Sequence, residues 1–396
     1  MTRASAKLGL SIKLPVAGGR VEAFRLSQPR DFPRTVAGAF NRIAYSAAHV
    51  VADPLAAVDP SSACAIDWEA TIAYRRTLWS LGFGVAEAMD TAQRGMGLDW
   101  PTSLALIRRS IDASRDCPGA FLASGAGTDH LPAEAAKSVD DVIRAYEEQV
   151  AAIEALGGRI ILMASRALAR VARSPDDYHK VYDRILGQVR QPVIIHWLGE
   201  MFDPALAGYW GHADHYKAMD VALEVIAHNA AKVDGVKVSL LDKDKEIAMR
   251  RRLPKQVKMY TGDDFNYAEL IEGDAEGHSD ALLGIFDAIA PAASAALSAL
   301  AKGDRASFHE ILAPTVPLSR QIVGAPTRHY KTGVVCMSWL NGHQDHFVMV
   351  GGQQSARSIL HLAELFRLAD AAGLLLDPEL ACARMRQLLG VNGIVQ

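Results

Sequence analysis

The stretch DGVKVSLL, residues 234–241, reads as a short β-strand with a lysine at its centre. Side chains alternate across a strand, so Val236 and Val238 share one face and Lys237 and Ser239 the other. Branched valines suit a layer covered by helices, which leaves Lys237 and Ser239 pointing to the opposite, interior side. Such a strand belongs to a sheet that is buried on both faces, and the rest of the chain supplies its neighbours. Seven more apolar runs occur between about residues 40 and 290: RIAYSAAHVV (42–51), FGVAEAM (83–89), AFLAS (120–124), RIILMAS (159–165), PVIIHWL (192–198), VKMYTG (257–262) and ALLGIF (281–286).

Helical patterns separate them. In SVDDVIRAYEEQVAAIEALG, Ile143, Tyr146, Val150, Ile153 and Leu156 recur at helical spacing, and Gly157 follows as a stop. Eight strands, each followed by a helix, predict an α/β fold of the (β/α)8 TIM-barrel type, with DGVKVSLL as its sixth strand. A doubly wound sheet is the alternative, but no GxGxxG follows the first strand. Residues 1–40 hold two alternating runs joined by Ala17-Gly18-Gly19 and predict an N-terminal hairpin that plugs the barrel bottom. The barrel occupies 41–290, and residues 291–396 form a C-terminal helical extension packed on it. Within the extension, RHYKTGVVCMSWLNGHQDHFVMVGG (328–352) is a Gly- and His-rich excursion that gives no clear period.

Composition narrows the function. The 396 residues are 50% hydrophobic and 22% charged with a formal net charge of -3, which suits a large folded core and not a disordered chain. Basic residues are scattered, and the MRRRL run (249–253) reads as a solvated helix end, so neither nucleic acid nor a membrane surface is indicated as a partner. A small molecule is expected instead. The four cysteines lie far apart with no CxxC pair, which fits reduced thiols and a cytoplasmic setting. The start lacks a continuous apolar region, and the most apolar later stretch is broken by Asp287 and Pro291, so neither a secretion signal nor a membrane span is read.

In a barrel of this type chemistry sits at the C-terminal ends of the strands. Those ends offer Asp90 and Thr91 after strand two, Ser124 after strand three, Ser165 and Arg166 after strand four, His196 on strand five, Lys237 and Ser239 on strand six, and Asp263 and Asp264 after strand seven. Lys237 and His196 stand out because apolar residues flank each on both sides. A buried lysine either pairs with a carboxylate, here Asp263 or Asp264, or is pushed below its reference pKa of roughly 10.4 and becomes a neutral nucleophile for carbonyl carbon.

These segments resemble the Schiff-base aldolase superfamily of dihydrodipicolinate synthase and N-acetylneuraminate lyase. DGVKVSLLDKD is similar to its sixth, imine-forming strand, RQPVIIHWLGE to its fifth, MYTGDDFNYAELI to its seventh, and IDWEATIAYRRTLWSLGFGVAEAM to its first helix and second strand; APAASAALSALAKGDRASFHEILAPTVPLSRQI is similar to the helices after strand eight. The likeness runs over residues 42–323 and marks the chain as a divergent branch. It implies that Lys237 forms an imine with a 2-keto acid such as pyruvate. It also implies a carbon–carbon lyase without cofactor, assembled as a homo-oligomer (dimer or tetramer), acting in carbohydrate catabolism on a keto-deoxy sugar acid or related polyhydroxylated compound.

Departures from the pattern are informative. His196 stands where the family has a proton-relaying tyrosine; imidazole can do that work, although a packed core histidine is the other reading. MDTAQ replaces a GTTGE loop, so Thr91 keeps a hydroxyl for the keto acid's carboxylate whereas Asp90 would repel it. The tyrosine lent to a neighbouring subunit after strand four gives way to SRAL, where Arg166 either binds an anionic or hydroxylated substrate or faces solvent. Two other readings stay open. GHADH (211–215) and GHQDH (342–346) offer His212, His215, His343 and His346 to a divalent metal, for a metal-dependent aldolase or hydrolase. The barrel could also bind a sugar acid without turnover.

Overall fold

The computed structural model describes residues 9–36 and 38–395. The eight apolar runs form eight parallel strands: β3 (Ala44–Ala47), β4 (Gly84–Glu87), β5 (Leu122–Ala126), β6 (Ile160–Leu162), β7 (Val193–Leu198), β8 (Val233–Ser239), β9 (Lys258–Thr261) and β10 (Asp280–Leu283). Each pairs with its sequence neighbours and β10 closes onto β3, which makes a (β/α)8 barrel and excludes the open sheet. The helices between the strands start where short polar side chains satisfy their first N–H groups. Asp67 accepts from the Ala70 amide, Asp99 from that of Thr102, and Ser138 forms a reciprocal box with Asp141.

Alternation sorts each strand into two layers. Val236, Val238, Val193 and Ile195 join the large core between strands and helices. Tyr45, Ala86, Ala123, Ile161, Ile194, Tyr260 and Leu282 fill the barrel interior. A buried Arg75–Glu87 pair, with contacts of 3.0 and 2.9 Å, ties the helix Trp68–Ser80 to β4, and the Ser110 hydroxyl also donates to Glu87. These partners satisfy the charges that the fold takes out of water.

The extension begins with helices Ala290–Ala301, Arg305–Leu312 and Thr315–Val323 and continues with Tyr330–Leu340, Ile359–Ala371 and Pro378–Val391. All eleven residues of Tyr330–Leu340 are buried. This helix packs on the turn Asp90–Ala92 and on the short helix Ile285–Ala288, both of which follow strand C-termini, so the extension covers the barrel mouth. The N-terminal hairpin, β1 (Ser11–Val16) with β2 (Arg20–Arg25), is antiparallel as expected, but its place differs. It packs on the last two helices and does not plug the barrel bottom. The Ser27 amide donates to Asp370, Arg367 to the Pro15 carbonyl, Arg386 to the Ser11 carbonyl, and Phe24 meets Phe366 edge-on. Among the described residues no helix is long and apolar enough to cross a membrane.

Candidate functional site

Lys237 lies in the upper part of β8, in register with His196 on β7 and Tyr260 on β9. Paired positions of parallel strands face the same side, so the lysine and imidazole project together into the barrel. Lys237 is 7% exposed. Burial lowers its pKa below the ordinary lysine value, while the charges of Asp90 and Asp264 oppose that fall. Among the described residues no carboxylate is close enough to count as its ion-pair partner. A Cβ at Gly262 would stand 2.2 Å from the Ser239 hydroxyl and 2.9 Å from Lys237 Cε, so the position after β9 has room only for glycine.

His196 is buried and held neutral: desolvation, and then the nearby Lys237 charge, push its pKa well below the usual imidazole value. Its Nε2 is 3.2 Å from the Ser239 hydroxyl, and its Nδ1 has no protein partner among the described residues. Asp264 accepts a 3.1 Å bond from the Ile285 amide, and burial raises its pKa to about 7 against the pull of Lys237. A carboxyl group near that value exchanges its proton at neutral pH. Asp263, its neighbour, is consumed by the loop: it accepts from the Phe265 and Asn266 amides and from the Asn266 side chain.

Asp90 lines the cavity that opens at the mouth, about 350 Å³ in volume, together with His196, Arg166 and Asp129. Lys237 is set back from that lining. Thr91 is turned away from open space, with its hydroxyl 2.7 Å from the Tyr330 hydroxyl. Tyr330 comes from the extension and is buried; desolvation holds its phenol protonated far above the ordinary pH range, with Asp90 adding to the effect. Arg94 forms the wall beside Asp90, where it binds Asp129, Gln149 and the carbonyls of Ala88 and Gly125.

The remaining sequence candidates divide. Arg166 lines the cavity and is ion-paired with Asp203. Ser165 is a helix cap, accepting from the Leu168 amide and sharing a 2.6 Å bond with Thr128. Ser124 is a correction: Ala123 faces the barrel interior, so its neighbour Ser124 faces the helices, buried and away from the cavity. The two GHxDH segments do not assemble, and among the described residues no group of three or more His, Cys, Asp or Glu side chains is arranged to hold a metal. Asp214 caps the helix His215–His228, and His215 pairs with Glu200. His212 is half-buried and lines no cavity at the mouth. His343 packs 4.9 Å from the Tyr74 ring, with a pKa lowered by burial to about 4, and His346 Nδ1 accepts from the Val348 amide.

Sequence reasoning missed Tyr330, Lys331, Arg328, Arg94 and Asp203. The first three sit in RHYK (328–331), at the head of a helix buried on every face. Such a helix has no amphipathic stripe to announce it.

The architecture defines the class: a (β/α)8 barrel of the dihydrodipicolinate synthase fold with a buried lysine on its sixth barrel strand. The chain belongs to the family described as "Protein of unknown function (DUF993)", whose model matches residues 12–394. No curated protein matches it. Dihydrodipicolinate synthase from Aquifex aeolicus is similar in structure, with a TM-score of 0.64 at 12% identity over 84% of this chain and 98% of that one. A putative dihydrodipicolinate synthetase from Pseudomonas aeruginosa gives 0.63 at 14%, over 84% and 100%. YagE, a prophage protein of the dihydrodipicolinic acid synthase family from E. coli K12 solved in complex with pyruvate, gives 0.64 at 13%, over 85% and 100%. At these identities the likeness is one of fold.

Proposed function

We propose that this protein is a carbon–carbon lyase of the aldolase type in which Lys237 forms a Schiff base with a pyruvate-like 2-keto acid. One observation carries the reading: a buried lysine on β8, without a carboxylate ion-pair partner, beside a neutral imidazole and a carboxyl group poised near pH 7. The neutral amine adds to the keto carbon, and loss of water gives the iminium. In the cleavage direction the iminium takes the electron pair of the broken carbon–carbon bond. A base removes the hydroxyl proton of the departing fragment, which leaves as an aldehyde. The resulting enamine is protonated at carbon, and water releases the keto acid.

His196 and Asp264 are the groups with the protonation states to serve as base and acid, and Ser239 orients His196. Thr91, bonded to Tyr330, offers a hydroxyl route for protons or for the keto acid's carboxylate. We assign the substrate to the keto-deoxy sugar acids or related polyhydroxylated compounds, and the setting to the cytoplasm, with a dimer or tetramer as the working assembly. The pyruvate bound to YagE supports the choice of keto acid by analogy of fold.

Borohydride reduction in the presence of pyruvate tests the proposal. The expected product is the intact chain carrying one reduced pyruvyl group, mapped to Lys237 by peptide mass. A folded sample that traps no 2-keto acid, or traps it at another lysine, overturns the assignment. Thermal stabilisation by sugar acids with trapping absent would indicate a binding protein instead.

A further inference from the structure

The mouth cavity has a second lobe that the reaction above leaves unused. It measures about 390 Å³, shares Asp90, Arg94 and Arg166 with the first lobe, and is closed on its far side by Arg328, Tyr330 and Lys331 of the extension. Lys331 is 6% exposed. Its ammonium contacts the Arg328 carbonyl at 3.2 Å and the Met96 sulfur at 3.3 Å and lies 5.0 Å from the centre of the Tyr330 ring, none of them an anion. Among the described residues neither Lys331 nor Arg328 is ion-paired with a carboxylate.

The other charges of the lobe are already committed. Arg94 is bound to Asp129 and Arg166 to Asp203. Asp90 remains, and its field acts on Lys237 and Lys331 alike. In the lobe itself Lys331 and Arg328 therefore face one carboxylate that is not ion-paired, Asp90, while Asp203 acts on Lys331 from within its pair with Arg166. A buried ammonium without an anion is costly, and burial accordingly lowers the Lys331 pKa.

We propose that this lobe binds an anionic group, a carboxylate or a phosphate, at the end of the substrate remote from the imine carbon, with Lys331 and Arg328 as its cationic contacts. The inference rests on the lyase reading and sharpens its substrate class. The substrate is an acid at both ends: a 2-keto acid where Lys237 attacks and a second anion where the extension covers the mouth. The aldehyde fragment then carries that second anion. Arg166, at the junction of the lobes, holds the middle of such a chain or its hydroxyls.

Calorimetry on the full chain without pyruvate, using inorganic phosphate, succinate and neutral erythritol as probes, reads this lobe independently of Lys237. The wild type should bind at least one anion and not erythritol, and the preferred anion separates a phosphate end from a carboxylate end. Lys331→Gln should weaken that binding by about tenfold or more, the loss of one charge-assisted contact. Lys331→Arg should restore most of it, and Arg328→Ala, a truncation at an exposed side chain that leaves the core untouched, should weaken it as well. Erythritol binding as tightly as both anions, or unchanged anion affinity in Lys331→Gln and Arg328→Ala together, overturns the proposal. Anion binding through Lys331 with no pyruvate trapped at Lys237 would remove the lyase reading and leave the anion lobe standing; the reverse pattern would remove only the lobe.

Discussion

Replacing Asp264 by Asn changes one proton and little else. The amide keeps an oxygen for the Ile285 N–H, now bonded at 3.1 Å, and keeps the side-chain volume. Burial raises the Asp264 pKa from 3.8 to about 7. That rise of roughly three units corresponds to about 4 kcal/mol, at about 1.4 kcal/mol per unit. The folded state holds this proton more tightly than the unfolded state. The associated stability is therefore present in full below the unfolded pKa and is lost as pH rises through the folded one.

Between about pH 5 and pH 8 the wild type should lose about 3 kcal/mol from this group, and Asp264→Asn should not. Glu246, with a pKa raised to about 8, acts in both proteins and cancels in the difference; Lys237, whose charged form Asp264 favours, is the group that does not cancel, and its change is read separately by trapping. Guanidinium unfolding of the two proteins across that range measures it. The same substitution removes one of the two carboxylates that favour the charged form of Lys237. The pH at which pyruvate trapping is half-maximal should therefore fall, because the amine gives up its proton more easily. Wild type and variant losing stability in parallel from pH 5 to 8, or a trapping midpoint that stays or moves upward, would refute the reasoning.

Two further substitutions probe the surroundings of the lysine. Gly262→Ala would place a methyl group 2.6 Å from the Val238 carbonyl and 2.2 Å from the Ser239 hydroxyl; a backbone oxygen cannot rotate away, so β8 and β9 must shift. The expected loss is about 1–3 kcal/mol in denaturant unfolding together with weaker pyruvate trapping; an unchanged midpoint and unchanged trapping would contradict it. Tyr330→Phe deletes the partner of the Thr91 hydroxyl, now at 2.7 Å, and should cost about 1 kcal/mol of stability. If Thr91 and Tyr330 carry protons to the enamine, exchange of pyruvate's methyl hydrogens with deuterated water slows by about tenfold or more; exchange at the wild-type rate would leave Tyr330 a structural residue only.

The barrel was legible because each of its signals is local. An apolar run needs only its own residues to become a strand, and the period of two placed Lys237 on the interior side before any neighbour was known. The same rule, carried to Ser124, would have required knowing which face of AFLAS turns inward. That depends on registration with β4, where Ala123 pairs with Ala86, and a run of small residues does not reveal it. The histidine pairs failed for another reason. GHADH has a helix cap inside it, and Asp214 serves the Tyr216 and Lys217 amides more readily than a metal.

The sequence by itself determined the eight strands, their order, and the buried lysine beside a histidine, since alternation and helical period are properties of neighbouring residues. Only the tertiary structure decided what covers the barrel mouth. Tyr330 meets Thr91 across 239 positions of chain, and Lys331 shares the field of Asp90 with Lys237. Contacts at that separation arise when a helix buried on all sides docks on the strand ends, and a helix buried all round has no polar and apolar faces to say which residues it will present.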